Sequence, residues 1–303
     1  MGWLGLQSDG HVIACLDYAN EKAKGFCTSN NIPLIDRCGT LMLHALIEQA
    51  EIVLVHWYDH PNLLRMIEFS LPPCRLVFWC HKNYEFSQKE LNYPDLFIRT
   101  SPVQGAGRYI WSTGNMSRFL AIKPKPHKGI NVGYIGTVDY KKIHPRFIEM
   151  CEAVRPDVNF IVMGHDDIGE PSQTISFIGQ VDDIVPFLEV IDIFGYPLRR
   201  DHYGTCEQVL GEAMCAGVVP IVLDNPAEKR IVQAGETGIV SPTLQKYVQQ
   251  LEALTLVPRA RQQLGANARA RARKLYSIEH MVERWEKVFK EMKAYPKREK
   301  LPH

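Results

Sequence analysis

The chain lacks a surplus of either charge, a long hydrophobic run and a paired-cysteine motif, and each absence excludes a class of protein. Lys and Arg number 35 against 34 Asp and Glu, a formal net charge of +1. The broad positive field with which general nucleic-acid binders hold phosphates is therefore missing. Apolar stretches such as Glu51–His56 and Val218–Leu223 fall far short of the roughly 20 residues that cross a bilayer, so no membrane-spanning helix is expected. The eight cysteines, Cys15, Cys27, Cys38, Cys74, Cys80, Cys151, Cys206 and Cys215, contain no C-x-x-C pair and no Cys/His quartet at zinc-like spacing. They are expected to be reduced and mostly buried thiols. No acidic metal cluster is evident, and neither a metal nor a cofactor is expected. Met1–Gly10 has no basic n-region and meets Asp9 before an apolar h-region could form, so it does not read as a secretion signal. A cytoplasmic location follows by default.

What is present is an alternation of short β-branched runs with longer amphipathic segments, over 303 residues that are 46% hydrophobic. Such alternation is expected of βαβ units and parallel sheets, and the length allows two cores of roughly 100–200 residues. A first series has strands at 11–16, 32–35, 52–55 and 75–79, with weaker signals at 96–98 and 109–110. Between them lie helices at 20–31, at 39–49 with Leu41, Leu43, Leu46 and Ile47 on one face, and at 61–70. The stretch Ile122–Gly129, with two prolines and several basic residues, reads as a linker. A second series follows, with strands at 131–135, 159–163, 175–178, 191–195 and 218–223. Its helices are expected at 145–154, 184–189, 207–216, 244–254 and 258–275. In a terminal helix, 278–294, Met281, Trp285, Val288, Phe289 and Met292 recur at helical spacing. The expected domains are 1–125, 126–277, and the terminal 278–303 packing back towards the first.

The most informative region runs from Tyr203 to Leu223. A polar turn enters a helix near Glu207, whose first amides and dipole form an anion site. The helix carries Glu212 and ends at Gly217, a suitable left-handed cap before a buried strand. A carboxylate placed there can reach ribose hydroxyls while the amides before it hold phosphate. Three blocks occur in order: Val132–Lys142; Phe177–Asp183 with Asp192–Pro197; and Leu210–Pro220 with Gly235–Val240. In these blocks the chain resembles the retaining GT-B glycosyltransferases of the family 4 type, which are related to glycogen synthase. The resemblance implies an α/β fold of two Rossmann-like domains facing a cleft. It also implies a first domain shortened at its start, because only ten residues precede the strand at His11.

Carried over residue by residue, the resemblance implies that Gly136 approaches a donor diphosphate and that Lys142 neutralises it as it leaves. Glu212 would grip the nucleotide ribose, and the segment Gly179 to Val181 would line the base. Gly204, Thr205 and Cys206 fall in the donor loop. The sequence departs from the family at two points. The pattern Glu-x7-Glu, counted back from Glu212, lands on Gly204, so the carboxylate that contacts the transferred sugar is absent there; Thr205 and Glu207 are the nearby replacements. A family arginine is replaced by Thr137, with Lys141, Arg199 and Arg200 as candidate substitutes.

In the first domain, His56, His60 and His81 follow buried strands, where the C-terminal ends of parallel strands face the ligand crevice. His81 matches the family histidine that contacts the donor sugar, and it joins Lys142 and Glu207 as a candidate catalytic residue. A basic C-terminal region, including Arg259, Arg261, Arg269, Arg271, Arg273 and Lys274 followed by further lysines, is either a solvated face or a surface for anionic lipid. The implied function is transfer of a sugar, with retention and without a metal, from a nucleotide-diphosphate sugar to an acceptor hydroxyl. The acceptor is saccharide, lipid-linked or small-molecule, with peripheral membrane contact as an added expectation and nucleic acid excluded. The alternative is a non-catalytic accessory protein of the same fold that binds a nucleotide sugar or a partner enzyme.

Overall fold

A computed structural model describes residues 10–105, 107–164 and 172–302. Nearly all of the Met1–Gly10 segment considered above as a signal lies outside the described residues. The chain divides into two units, Met1–Ser112 with Ile278–His303, and Thr113–Ser277.

In unit 1, β1 (Ile13–Ala14), α1 (Glu21–Ser29) and β2 (Leu34–Ile35) form a small parallel βαβ element. Then come α2 (Thr40–Gln49), β3 (Val53–Trp57), α3 (Pro61–Met66), β4 (Leu71–Cys74), β5 (Leu76–Cys80), α4 (Gln88–Asn92) and β6 (Leu96–Arg99). Strands β3, β5 and β6 make a parallel sheet in the order β3-β5-β6. Every residue of the central strand β5 is buried, as expected where a parallel sheet is covered on both faces. Phe78 and Cys80 point into a core with Trp57, Leu63 and Tyr93, while Val77 and Trp79 meet Met281, Trp285, Val288 and Met292 of the terminal helix Ile278–Lys293. Those four helix residues share one face because their spacing of four, three and four keeps pace with the helical turn.

Two expectations fail in unit 1. Leu41 is 90% exposed and Ile47 is the buried residue of α2, because positions 41 and 43, two apart at roughly 100° per residue, sit on opposite sides of a helix. The helix expected to reach Ser70 ends at Met66, and Leu71-Pro-Pro-Cys74 instead forms an edge strand paired antiparallel with Arg298–Lys300. Edge positions tolerate proline, which has no ladder N–H to give.

Unit 2 begins with α5 (Ser117–Leu120), β7 (Ile130–Ile135), α6 (Phe147–Glu152), β8 (Val158–Met163), β9 (Ile175–Gly179), α7 (Val185–Leu188) and β10 (Ile193–Tyr196). It continues with α8 (Gln208–Cys215), β11 (Val219–Leu223), α9 (Glu228–Ile231), β12 (Ile239–Ser241), α10 (Leu244–Leu256) and α11 (Pro258–Leu275). The six strands are all parallel in the order β12-β11-β10-β7-β8-β9, the doubly wound arrangement in which the chain reverses direction across the sheet between β7 and β10. The unit starts earlier than residue 126. Thr113 Oγ1 donates to the Tyr276 carbonyl at 2.7 Å, and Arg269 Nη2 to the Leu120 and Ile122 carbonyls at 2.9 and 3.0 Å, which ties the stretch before the linker to unit 2.

The basic helix α11 has a structural use. Arg261 donates to the Leu254 and Thr255 carbonyls, Arg269 to Cys215, and Arg271 to Arg230 and Ile231. Each acceptor lies in the last turn of α10, α8 or α9, where carbonyls have no partner within their own helix. Guanidinium groups near a helix C-terminus also meet the favourable end of its dipole.

Candidate active site

In a doubly wound sheet, ligands bind outside the carboxyl ends of the strands where the winding reverses. Here that point is flanked by the loop after β7, Gly136–Lys142, and the loop after β10, Pro197–Glu207. The first loop is set by a left-handed glycine, Gly136 (φ 151°), whose N–H donates to the Met163 carbonyl at 3.0 Å. Gly164 faces it so closely that a Cβ there would overlap the Gly136 carbonyl oxygen. Asp139 Oδ1 accepts from the Lys141 and Lys142 amides, both at 3.0 Å. The two loops are joined by the Arg199 N–H donating to the Lys142 carbonyl at 3.0 Å.

The Lys142 side chain, 13% exposed, places Nζ 3.1 Å from Glu207 Oε2 and over the rings of Tyr196 and Tyr203. Glu207 is the last residue before α8, has φ 36°, and buries its carboxylate almost completely. Tyr196 donates its hydroxyl to Glu207 Oε2 at 2.5 Å. Burial by itself would raise the Glu207 carboxyl, but Lys142, His202 and the Tyr196 hydroxyl outweigh it and hold the group below its ordinary value.

Behind Glu207 lies His202. Its Nδ1 accepts from the Gly204 N–H at 3.0 Å, and its Nε2 is 3.2 Å from Glu228 Oε2. This is the neutral tautomer that carries its proton on Nε2, because Nδ1 must keep its lone pair to accept. Burial disfavours the charged ring, yet the nearby Glu228 and Glu207 carboxylates raise its proton affinity above the ordinary value. When protonated, Nδ1 would face Glu207 Oε1, 3.7 Å away. Asn225 Nδ2 fixes Glu228 Oε1 at 3.1 Å. Lys142 and Glu207 thus form an ion pair across the two loops, and His202, once protonated, would extend it in alternating sign to Glu228.

Of the other expected donor residues, Thr205 and Cys206 are buried in the same loop, and the Cys206 carbonyl accepts from Tyr276. Thr137 Oγ1 accepts from the Tyr203 hydroxyl at 3.4 Å. Glu212 lies on α8 one turn beyond Gln208, which donates to its Oε1 at 3.2 Å, and burial raises its carboxyl. Gly179 (φ 70°) ends the edge strand β9, and a Cβ there would point into open space; Val181, just beyond, is exposed. Of the candidate substitutes for the missing arginine, Arg199 is engaged by Asp201 at 2.6 and 2.7 Å and by the Tyr140 carbonyl.

In unit 1, His56 and His81 stand at the ends of the neighbouring strands β3 and β5. Their rings stack at 4.9 Å and 9°, with His56 Nδ1 2.9 Å from His81 Nε2. Burial lowers both, and the adjacent His81 lowers His56 further; His81 falls to about 4. His60 instead accepts from the Asn62 amide as the cap of α3. Among the described residues, no group of three or more His, Cys, Asp or Glu is placed to hold a metal ion, and no helix is long and apolar enough to cross a membrane.

Solved structures define the fold. HepE from Anabaena, in complex with UDP and glucose, is similar over 95% of this chain and 94% of its own, with TM-score 0.75 at 14% identity. A glycosyltransferase from Rickettsia africae matches over 93% and 89% with TM-score 0.72 at 12% identity. Sucrose-phosphate synthase from Thermosynechococcus elongatus matches over 83% and 76% with TM-score 0.66 at 16% identity. The fold is that of the GT-B glycosyltransferases. Residues 129–255, all within unit 2, match the family described as Glycosyl transferases group 1. No curated protein matches the chain in sequence.

Proposed function

We propose that the chain transfers a sugar from a nucleotide-diphosphate sugar to an acceptor hydroxyl, with retention and without a metal. The observation that supports this best is Lys142, a restrained cation at the winding reversal of a group 1 glycosyltransferase segment. In this reading the bond from the anomeric carbon to the diphosphate oxygen breaks ahead of attack. The acceptor oxygen then bonds to the same face, and its proton passes to the departing phosphate. Charge grows on the diphosphate, and Lys142 with the backbone amides of the Gly136 loop stabilises it in place, which is the usual largest contribution to such catalysis. Glu212 takes the ribose, the 179–181 segment takes the base, and the resemblance carries His81 to the transferred sugar. UDP is the first nucleotide to test, since HepE was solved with UDP and with UDP-glucose.

One observation favours the accessory reading. Glu207 already matches the charge of Lys142, which leaves less positive field for a diphosphate than an unpaired lysine would. A panel of UDP-, GDP- and ADP-sugars separates the two: product formed by the wild type and lost in Lys142→Ala and Glu212→Ala supports transfer. Nucleotide binding without turnover on any acceptor class supports the accessory role, and no nucleotide binding by calorimetry overturns both.

A further inference from the structure

We propose that Gly204 and Glu207 work as one unit: Glu207 is a positioning residue that holds the Lys142 ammonium from a displaced backbone position, and Gly204 is the vacancy that admits its carboxylate. Three features meet here. Glu207 adopts φ 36°, a left-handed conformation that glycine takes freely and a residue with a Cβ takes at a cost. Its carboxylate is nonetheless the buried partner of Lys142 Nζ at 3.1 Å and of the Tyr196 hydroxyl at 2.5 Å. A Cβ built on Gly204 would overlap Glu207 Oε1, with the His202 ring close behind at 2.9 Å.

Each oddity explains the other. The chain has no carboxylate at position 204, and position 207 carries one where its backbone favours glycine. A residue there only to fill space would be apolar and would not need to bury a charge. What the carboxylate does is restrict where the ammonium can point, with the Tyr196 hydroxyl fixing the carboxylate in turn. What Lys142 binds rests on the proposed function; that Glu207 and Gly204 hold it does not.

The test reads Lys142 directly. Its acylation by a water-soluble active ester is followed by mass spectrometry, with exposed Lys123 as internal reference. Glu207→Gln, which keeps the shape but not the charge, is expected to speed Lys142 labelling roughly tenfold, the size of a lost charge-assisted hydrogen bond. Gly204→Ala is expected to do the same by displacing the carboxylate. Glu207→Gly also releases Lys142, and the exchange Gly204→Glu with Glu207→Gly returns labelling to the wild-type level. Unchanged labelling in Glu207→Gln overturns the proposal, whether or not Gly204→Ala folds. So does an exchange variant that labels as fast as Glu207→Gly alone. UDP affinity is measured on the same samples: a wild type that binds no nucleotide sinks the proposed function, while the labelling pattern still decides the positioning role.

Discussion

The two units place polar groups at the carboxyl ends of parallel strands by opposite means. In unit 1 two stacked histidines are held neutral because burial opposes their charge. In unit 2 burial is just as severe, but Lys142 and Glu207 pair with opposite sign and keep their charge, and the Glu228 and Glu207 carboxylates raise the proton affinity of His202. The same desolvation leads to opposite protonation, and the deciding variable is the number of opposite charges within hydrogen-bonding reach. One unit offers a neutral hydrogen-bonding edge, the other a restrained cation.

The largest effect that would break this comparison is expected from Trp285→Ala. It removes a fully buried ring packed edge-on against Trp79 and should cost unit 1 about 4 kcal/mol. All five tryptophans, Trp3, Trp57, Trp79, Trp111 and Trp285, fall in the sequence of unit 1. Tryptophan fluorescence in urea therefore follows that unit, and an unchanged midpoint would contradict the packing described for the terminal helix.

Next is Lys142→Met, which leaves the Glu207 carboxylate buried without its cation. The expected cost to unit 2 is about 3 kcal/mol, seen as faster amide exchange in β10 and α8 with the fluorescence midpoint unchanged. A silent Lys142→Met would mean that the pair contributes no stability.

A smaller effect concerns pH. His56 and His81 have lowered proton affinity when folded, so they stabilise unit 1 above the ordinary histidine value of 6.5, and that stability is lost as pH falls through 6.5 towards about 4. Glu207, also lowered, contributes above its ordinary 4.5 and is lost only further into acid. His202, raised, contributes below 6.5 and is lost as pH rises through its folded value. Between about pH 6.5 and 5 the fluorescence midpoint of unit 1 should therefore fall while exchange protection of the 202–207 loop holds or rises. Parallel trends in the two units would remove the distinction.

The smallest effect is expected from Leu41→Ser. At 90% exposure the substitution should change stability by less than about 0.5 kcal/mol, against several for Trp285→Ala in the same unit. A large loss would restore the buried face first expected for α2.

Five of the six strands of the larger sheet were legible as short apolar runs, and the terminal helix because its apolar spacing matches one face, whereas β12, three residues following a glycine, was not expected. Gly204 was legible as a departure from a pattern, since counting back from Glu212 lands on it, and Glu207 only as one of two nearby replacements beside Thr205. Tyr196, His202, Asn225 and Glu228 were not. They lie in separate segments, and only the order of strands β10 and β11 brings them onto one carboxylate chain. The pairing of β4 with the terminal strand was hidden for a different reason: two consecutive prolines weaken any strand signal, and the partner is more than 200 residues away.

The course of the chain also sets an order of events during synthesis. Unit 2 is one continuous stretch, Thr113–Ser277, whereas unit 1 is assembled from both ends of the sequence. As the chain leaves the ribosome, unit 2 has every residue it needs before unit 1 receives Met281, Trp285, Val288 and Met292 for one face of its sheet. Domains fold as units once their residues are available, so here the usual N-terminal-first sequence is inverted. Until the terminal helix emerges, the nascent first unit carries an uncovered apolar sheet face, the surface a chaperone would recognise.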